Sequence, residues 1–550
     1  MEDMTDNFVA EEKCAAADGE LKKNELIKEI KRRRTFAIIS HPDAGKTTLT
    51  EKLLLYGGAV NLAGSVRARR SENSAASDFM EIEKQRGISV SSTVLSFEYN
   101  GHLLNLLDTP GHQDFSEDTY RTLLAVDSVI MVLDAAKGIE PQTLKLFDVC
   151  RRRHIPLVTF INKLDRPSLE PLELMGEIEK VLGIHTIPMN WPLGSGDFFK
   201  GVFEIGSGRL HIFERKAHGS KKAEVKVVSP DSAEVAAMVP DDIFKSFNED
   251  IELLQLAGDE FDFEAFSRGE ITPVFFGSAL TNFGVQLFLD SFIDMVPAPG
   301  PRRSSKGMIA PEEPDFSGFV FKIQADMNPR HRDRVAFLRV CTGKFERGMK
   351  VRCVRTGEII RLAYPQRLFA QERETVDEAY PGDVVGLVNS GELILGDTLV
   401  EGEDRHYDPI PLFPPEHFCR VIADDPSRRK QFNKALELLQ NEGAIQIFWP
   451  LDESVRMPIM GAVGRLQFEV VEHRLKTDYG VEARFEPMPF KLARWVIGTA
   501  EDLEKFMPSR LAVRVVDGAD RPVCLFPSQW DLDYTEEKNP DLSFSAVSPS

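Results

Sequence analysis

The sequence predicts an α/β domain with a P-loop, followed by a β-barrel domain and an α+β C-terminal domain. Three observations predict this order. Strand and helix patterns alternate between Arg34 and about Met295, as a doubly wound sheet requires. Short β-rich runs separated by glycine turns fill positions 315–403. Beyond the proline-rich segment 409–415, strands alternate with amphipathic helical patterns.

The domain boundaries follow the proline-rich segments. We expect an N-terminal tail at residues 1–33, a nucleotide-binding domain at 34–300, a β-barrel domain at 313–405 and an α+β domain at 413–550. This division is reasonable for 550 residues, because one domain takes about 100–200 residues. A glycine-rich, hairpin-like stretch and an acidic helical stretch interrupt the first domain at about 190–270. We expect an insertion there, and its simplest interpretation is a structural elaboration without chemistry.

Charge and cysteine content restrict the class of protein. The chain has 67 basic and 87 acidic residues and a formal charge of −20, so its net charge gives no support to nucleic-acid binding. Its six cysteines form no C-x-x-C pair, which indicates reduced thiols and no zinc site. The first 34 residues contain no apolar stretch long enough for a signal peptide or a membrane span. We therefore expect a cytoplasmic monomer that does not associate with membranes.

A phosphate-binding loop is predicted directly after the apolar run 35–39. In such a loop, backbone N–H groups and a helix N-terminus bind phosphate oxygens. Lys46 supplies a positive charge to the β- and γ-phosphates, and Thr47 offers a hydroxyl to Mg²⁺. Ser40 replaces the usual first glycine, so a simple turn with a solvated Lys46 is the alternative for this loop alone. The predicted nucleotide contacts are Ser40, His41, Pro42, Asp43, Ala44, Gly45, Lys46, Thr47 and Thr48.

Two switch functions are predicted in the string Asp108-Thr-Pro-Gly-His112, which follows a strand-like run. Asp108 would hold Mg²⁺ through water. Gly111 lacks a Cβ atom, so its peptide can turn its N–H toward the γ-phosphate. His112 is the candidate catalytic residue, because its imidazole could position an attacking water. A lone histidine is more often structural, but its place in this string favours the catalytic interpretation. The predicted nucleotide contacts here are Asp108, Thr109, Pro110, Gly111 and His112.

Two further elements, Asn162-Lys-Leu-Asp165 and Gly277-Ser-Ala279, follow strand-like runs, where open parallel sheets bind nucleotides. The carboxylate of Asp165 offers two acceptors that suit the N1–H and amine of guanine, which adenine cannot match. The sequence therefore predicts GTP rather than ATP. The predicted contacts are Asn162, Lys163 and Asp165, together with backbone N–H groups of Ser278 and Ala279 near the guanine carbonyl oxygen. Residues 34–300 are thus predicted to form an α/β P-loop GTPase domain.

The segment Asp78-Phe-Met-Glu-Ile-Glu-Lys-Gln-Arg-Gly-Ile-Ser89 resembles the effector loop of translational GTPases, and residues 108–112 resemble their second switch. Within that superfamily, four segments are most similar to the bacterial class II release factors: 40–47, 84–89, 115–121 and 162–166. The resemblance implies that Ser89 is a Mg²⁺ and γ-phosphate ligand, where elongation factors carry Thr. It also implies that Asp43 helps to hold a monovalent cation or the catalytic assembly, a local turn or capping hydrogen bond being the alternative.

The resemblance implies a ribosome-dependent GTPase of translation termination. Its GTP form would bind a ribosome after peptide release and drive dissociation of the class I release factor, and hydrolysis would then free the GTPase. The expected ligands are GTP or GDP and Mg²⁺, and the expected partners are the ribosome, with its RNA and proteins, and class I release factors. The chain leaves no room for the two further domains of elongation factor G, so we do not expect translocation.

Two alternatives remain at this level. One is another translational GTPase, such as a ribosome-protection or stress factor. The other is a GTP-dependent binding switch with little hydrolysis, which could act outside translation. The effector loop and His112 favour the release-factor GTPase over the binding switch, and another translational GTPase is the weaker option.

Overall fold

The structure is a computed structural model of the chain. It describes residues 19–58, 92–110, 114, 116–213, 225–230, 232, 235, 237–258, 260–325, 334–369, 372–389, 392–408, 410, 414–451, 457–546 and 548. Three predicted site residues, Ser89, Gly111 and His112, lie outside the described residues, as do the rest of the segment 78–89 and residue 115.

The first part of the chain forms a seven-stranded sheet with helices on both faces. Its order is β2-β3-β1-β4-β5-β11-β6, and β2 alone runs antiparallel to its neighbour. The inner strands read as continuous apolar runs because both of their faces are buried. The strands are β1 (Arg33–Ser40), β2 (Thr93–Tyr99), β3 (His102–Asp108), β4 (Ser128–Asp134), β5 (Leu157–Asn162), β6 (His185–Pro188) and β11 (Ile271–Phe276).

The helices of this part begin and end at residues with local reasons to do so. Pro141 and Pro171 occupy the first helical position of α4 and α5, where a missing N–H costs nothing. Gly183 ends α5 in the left-handed conformation that suits a residue without Cβ. The helices are α1 (19–31), α2 (Lys46–Tyr56), α3 (Ser116–Leu124), α4 (Pro141–Arg152), α5 (Pro171–Leu182), α6 (Asp241–Ala257), α7 (Phe263–Ser267) and α8 (Val285–Met295).

A separate antiparallel sheet lies between β6 and β11 in the chain, with the order β10-β9-β8-β7. It packs on the main domain through Phe213, whose ring stacks on Phe283 at 4.7 Å between centroids. Trp191 Nε1 donates to Asp250 Oδ2 of α6 at 3.2 Å. Its strands are β7 (Asn190–Leu193), β8 (Gly201–Glu204), β9 (Arg209–Phe213) and β10 (Val225–Val228).

The middle of the chain forms an antiparallel barrel-like domain around a core that includes Phe316, Leu338 and Phe345. Its large sheet has the order β18-β17-β23-β14-β15-β22-β19-β20. The strands are β12 (Arg302–Ser304), β13 (Gly307–Ile309), β14 (Ser317–Ala325), β15 (Arg334–Thr342), β16 (Phe345–Glu346), β17 (Lys350–Cys353), β18 (Ile359–Arg361), β19 (Pro365–Phe369), β20 (Glu372–Thr375), β21 (Glu378–Ala379), β22 (Val384–Asn389) and β23 (Thr398–Val400).

The C-terminal part is an α+β domain with one eight-stranded sheet, in the order β27-β24-β26-β25-β29-β30-β28-β31. Its strands are β24 (His417–Ala423), β25 (Gln446–Pro450), β26 (Ile459–Ala462), β27 (Ala483–Pro487), β28 (Leu492–Ile497), β29 (Val513–Val516), β30 (Pro522–Phe526) and β31 (Ser543–Ser545). Its helices are α9 (Arg429–Asn441), α10 (Arg465–Thr477), α11 (Ala500–Lys505) and α12 (Gln529–Lys538). The predicted order of an α/β domain, a β-barrel domain and an α+β domain is confirmed.

Buried charges join the nucleotide-binding domain to the barrel. Arg33 lies 2.8 Å from Asp383, and Arg339 lies 2.6 Å from Asp127. The carbonyl oxygen of Gly382 accepts from Thr35 Oγ1 and from an Arg339 guanidinium nitrogen, each at 2.6 Å. In the part of the chain that the structure describes, no helix is both long enough and apolar enough to cross a membrane.

Candidate active site

The phosphate-binding loop lies between β1, which ends at Ser40, and α2, which begins at Lys46. Gly45 precedes α2 with a φ of 98°, a left-handed conformation that glycine adopts without strain. A Cβ atom at Gly45 would overlap the side-chain amide of Asn162, so the close approach also requires glycine. No side chain caps α2 in the described structure, which leaves its first N–H groups directed at the position that an anion would take.

Lys46 and Asp108 form a buried ion pair at the centre of the site. The ammonium of Lys46 lies 2.6 Å from Asp108 Oδ1, and the two residues are 6% and 2% exposed. Asp108 is the last residue of β3 and pairs in register with Ile38 of the adjacent β1. Because the loop after β1 leads to Lys46, the side chains of Lys46 and Asp108 meet. Each charge compensates the other in a site with little water. Phosphate oxygens that bind Lys46 would therefore compete with Asp108 and free its carboxylate for a hydrated cation.

Asn162 joins the phosphate-binding loop to the segment 277–279. Its side-chain Nδ2 donates to the carbonyl oxygen of Ala44 at 2.8 Å, and its Oδ1 accepts from the backbone N–H of Ala279 at 2.9 Å. The side chain is 2% exposed, so both bonds are shielded from water. Gly277 N donates to the carbonyl oxygen of Ile161 at 3.0 Å, which fixes the segment beside β5. One amide side chain thus sets the distance between two parts of the candidate site.

Asp165 and Ser278 meet at the end of the site predicted to bind the base. Ser278 Oγ donates to Asp165 Oδ1 at 2.6 Å, which orients the carboxylate. The backbone N–H groups of Ser278 and Ala279 donate to Phe283 O and to Asn162 Oδ1, each at 2.9 Å. A guanine carbonyl oxygen would therefore share these two donors or displace their present acceptors.

Asp134 is a site residue that the sequence analysis missed. It is the last residue of β4, and its Oδ2 lies 2.8 Å from the ammonium of Lys163. Burial raises the pKa of Asp134, but the hydrogen bond from Lys163, the backbone N–H of Ala136 and the charges of Lys163 and Lys137 together hold the pKa below its ordinary value. The signal was available in the sequence, because Asp134 ends a strand-like run as Asp108 and Asn162 do.

The remaining residues of the predicted loop lie around the ion pair. Thr47 and Thr48 are half-buried in the first turn of α2. His41 Nε2 lies 3.1 Å from Glu140 Oε1, and Asp43 is exposed with a left-handed φ of 67°. Thr109 Oγ1 donates to the carbonyl oxygen of Ile38 at 2.6 Å.

The predicted loop also contains Pro42, which is half-buried, and Ser40. The hydroxyl of Ser40 is buried and has no hydrogen-bond partner among the described residues. Because a buried hydroxyl without a partner is costly, Ser40 marks an unmet hydrogen bond at the start of the loop. Pro110, the remaining described residue of the second switch, is buried.

The oxygen donors near the ion pair have the chemistry that Mg²⁺ prefers. Mg²⁺ binds carboxylates, hydroxyls, phosphates and water, and it keeps several waters when bound beside a nucleotide. The carboxylate of Asp108 and the hydroxyl of Thr47 are donors of this kind, on the end of β3 and the first turn of α2. Ser89, the third predicted ligand, lies outside the described residues. The two described residues therefore fit a hydrated Mg²⁺ ion.

Three family models match the chain in the order of its domains. Residues 31–298 match the Elongation factor Tu GTP binding domain, and residues 315–402 match Elongation factor G domain 2. Residues 407–536 match the model described as Class II release factor RF3, C-terminal domain.

Curated relatives match nearly the whole chain. A peptide chain release factor 3 from Synechocystis sp. is 56% identical over 95% of this chain and 96% of its own length. A relative of the same name from Rippkaea orientalis is 54% identical over 96% of this chain and 97% of its own length. A crystal structure of a chain from Thermus thermophilus has a similar fold, with a TM-score of 0.66 at 23% identity, over 88% of this chain and 72% of that chain. The chain belongs to the peptide chain release factor 3 family of translational GTPases.

Proposed function

We propose that this GTPase of translation termination uses GTP and Mg²⁺ to promote dissociation of class I release factors from the ribosome after peptide release. Membership of the release factor 3 family supports the action on the ribosome, and the observation that carries the nucleotide chemistry is the convergence of the nucleotide elements at one edge of the sheet. The loop after β1, Asp108 of β3, Asp134 of β4, Asn162 of β5 and the segment after β11 all lie at carboxyl ends of neighbouring strands. Nucleotides bind at this edge of open α/β sheets.

The geometry supports specific roles for the residues at each end of the nucleotide. At the phosphate end, Lys46 and the first turn of α2 would bind the phosphates. At the base end, Asp165 would accept from the guanine N1–H and amine while Ser278 holds its carboxylate. Asn162 would keep the two ends at a fixed separation, because it bonds to Ala44 and Ala279 together.

We propose that Thr47, Asp108 and Ser89 hold the magnesium ion, Asp108 acting through water. The bound ion supplies positive charge that stabilises the phosphate oxygens during hydrolysis. Lys46 is paired with Asp108 Oδ1 at 2.6 Å in this structure, so phosphates that draw Lys46 away would leave both carboxylate oxygens available to the hydrated ion. Nucleotide and Mg²⁺ binding should therefore reinforce each other.

His112 is proposed as the residue that positions the attacking water. Its contribution would be made in the transition state, whereas Lys46, Asp108 and the base contacts stabilise bound GTP. Contacts to the γ-phosphate order switch segments in the GTP state and are lost on hydrolysis. In this proposal the ordered state acts on the ribosome and hydrolysis ends that action. The monomeric state and the cytoplasmic location stay predictions from the sequence.

The test of the proposed chemistry is single-turnover GTP hydrolysis with and without ribosomes, in the wild type and in His112→Ala. We expect ribosomes to accelerate the wild type strongly. The variant should bind GTP normally and lose about a hundredfold or more of the ribosome-stimulated rate, the scale of a positioned catalytic group. Wild-type hydrolysis by the variant would remove His112 from the mechanism while leaving the nucleotide site intact.

A binding switch with negligible hydrolysis is not favoured. Family membership and the Elongation factor Tu GTP binding domain match over residues 31–298 both support hydrolysis. A wild-type protein whose turnover did not rise on addition of ribosomes would restore that alternative.

A further inference from the structure

Helix α10 of the C-terminal domain binds a carboxylate from the nucleotide-binding domain. Asp114 Oδ2 accepts from the backbone N–H of Leu466 at 2.8 Å. Leu466 is the second residue of α10, so the carboxylate lies where free N–H groups and the helix dipole favour negative charge. Gly464 precedes the helix, and a Cβ atom there would overlap Cγ of Asp114. The absence of a side chain at residue 464 is thus what lets the two domains approach at this point.

A second contact joins the same two domains through helix α3, which follows Asp114 in the chain. Arg121 of α3 donates from its guanidinium to the carbonyl oxygen of Gly443 at 3.0 Å. Its other terminal nitrogen lies 2.7 Å from Glu117, in a pair that is 4% exposed on both sides. Glu442, next to Gly443, lies 2.7 Å from Arg474 of α10 and 3.4 Å from Arg334 of the barrel. Buried charges from three domains therefore meet beside α3, and the Asp114 contact belongs to a packed junction.

The residues of the second switch that precede position 111 are held by hydrogen bonds within the nucleotide-binding domain. Thr109 Oγ1 donates to Ile38 O at 2.6 Å, and Thr119 Oγ1 donates to Pro110 O at 3.3 Å. Residues 111–113, which include His112, lie in the sequence between Pro110 and Asp114. The described residues on both sides of this span are thus hydrogen-bonded: Thr109 and Pro110 to the sheet and α3, and Asp114 to the C-terminal domain.

We propose that Asp114 is a positioning residue for GTP hydrolysis and that helix α10 holds it in place. The inference rests on the proposed function, in which His112 acts on the attacking water. A displacement of about 1 Å can cost a catalytic group about a hundredfold in rate, so a tether two residues away matters to the chemistry. The C-terminal domain contributes to hydrolysis through this contact, although it contributes none of the predicted nucleotide ligands.

The test uses three variants of the full-length chain on ribosomes: Asp114→Ala, Asp114→Asn and Gly464→Ala. Asp114→Ala removes the acceptor, and Asp114→Asn keeps one oxygen that can accept from Leu466. Gly464→Ala displaces the carboxylate from the other domain, and its φ of −137° is acceptable for alanine. We expect Asp114→Ala and Gly464→Ala to lower the single-turnover hydrolysis rate about tenfold, with GTP and GDP affinities within about twofold of the wild type. Asp114→Asn should keep most of the wild-type rate.

Matched controls separate this effect from general damage. Asp148→Ala removes an exposed carboxylate from α4, and Gly206→Ala adds a Cβ atom with no heavy atom within 4 Å. Both controls should hydrolyse GTP like the wild type. Normal nucleotide affinity in the Asp114 and Gly464 variants, measured by fluorescent-nucleotide titration, shows that their nucleotide-binding domain is folded.

The double variant Asp114→Ala/Gly464→Ala decides whether the two residues act through one contact. We expect its rate to match the slower single variant, because both substitutions break the same contact. Rate losses that multiply would contradict the inference, as would wild-type rates in both singles or a nucleotide affinity that falls with the rate. Loss of hydrolysis in His112→Ala alongside normal rates in the Asp114 and Gly464 variants would overturn this inference alone and leave the proposed function standing.

Discussion

At the residue scale, the candidate site depends on a few side chains that each hold two parts of the chain together. Asn162 bonds to Ala44 and Ala279, and Asp108 bonds to Lys46. These side chains are nearly fully buried, so removal of either partner would leave a polar group without compensation. We propose that the same arrangement makes the site responsive to ligand, because phosphates that bind Lys46 would compete with the carboxylate of Asp108.

Base recognition by Asp165 can be tested with one substitution. Asp165→Asn should weaken GTP binding by about tenfold or more and favour xanthine nucleotides, because an amide N–H can donate to the xanthine carbonyl that replaces the guanine amine. Competition between GTP and XTP for the protein measures the change. Ser278→Ala is the matched control: it removes the hydroxyl that lies 2.6 Å from Asp165 and should weaken both nucleotides without reversing the preference. Equal preferences in Asp165→Asn and the wild type would exclude this position for the base.

The positions of candidate site residues in the fold were predictable where a local string carries them, and less so where they depend on distant partners. The phosphate-binding loop, Asp108 and Asn162 each follow an apolar run, and parallel strands bring such positions to one edge of the sheet. The hydrogen bonds of Ser278 N and Ala279 N within the chain were not predictable, because their acceptors, Phe283 O and Asn162 Oδ1, are set by packing.

At the element scale, one buried lysine of β14 in the barrel contacts helix α3 of the nucleotide-binding domain. Lys322 donates to the backbone and side-chain oxygens of Ser92, the latter at 3.0 Å, and lies 3.8 Å from Asp118 of α3. Burial raises the pKa of Asp118, but the charge of Lys322 and the N–H and hydroxyl of Ser92 outweigh it, so the pKa lies below its ordinary value. The contact between Lys322 and Ser92 joins residues 230 apart in the chain, and no local sequence pattern encodes it.

Removal of Lys322 should destabilise the chain in a pH-dependent way. Lys322→Met should lower the free energy of unfolding by about 3 kcal/mol near pH 7, because it leaves the half-buried Asp118 and the oxygens of Ser92 with less compensation. Since the folded pKa of Asp118 is depressed, its stabilisation is complete above the ordinary value of about 3.9 and is lost as the pH falls through the folded pKa. The difference between wild type and variant in urea unfolding should therefore shrink below about pH 4. An equal difference at both pH values would exclude the pairing with Asp118.

At the scale of the whole molecule, the three domains are joined by buried charges. Asp127, which precedes β4, accepts from Arg302 at 3.1 Å and from Arg339 at 2.6 Å, so it connects the nucleotide-binding domain to the barrel. Glu442 connects the barrel to the C-terminal domain through Arg334 and Arg474. The domain order was predictable from composition and periodicity. The contacts between domains were not predictable, because buried ion pairs between domains depend on side chains far apart in the sequence.

Asp127→Ala tests the joint between the nucleotide-binding domain and the barrel. The variant leaves two guanidinium groups without their shared carboxylate, so we expect a loss of about 3–5 kcal/mol in unfolding free energy. GDP affinity should stay within about twofold at moderate temperature, because Asp127 lies at the start of β4 and the nucleotide elements lie at the carboxyl ends of the strands. Denaturant unfolding and nucleotide titration give both values, with Asp148→Ala as the exposed control. A stability change no larger than that of the control would contradict the role of Asp127 in the joint.

The central claim is most directly tested by the rate at which a labelled class I release factor leaves a ribosome after peptide release. We predict that the protein with GTP accelerates dissociation strongly, and that the protein with GDP leaves the spontaneous rate unchanged. His112→Ala with GTP should still promote one round and then remain on the ribosome, since binding and hydrolysis are separate steps. A dissociation rate that is the same with GTP, with GDP and without the protein would contradict the proposed function.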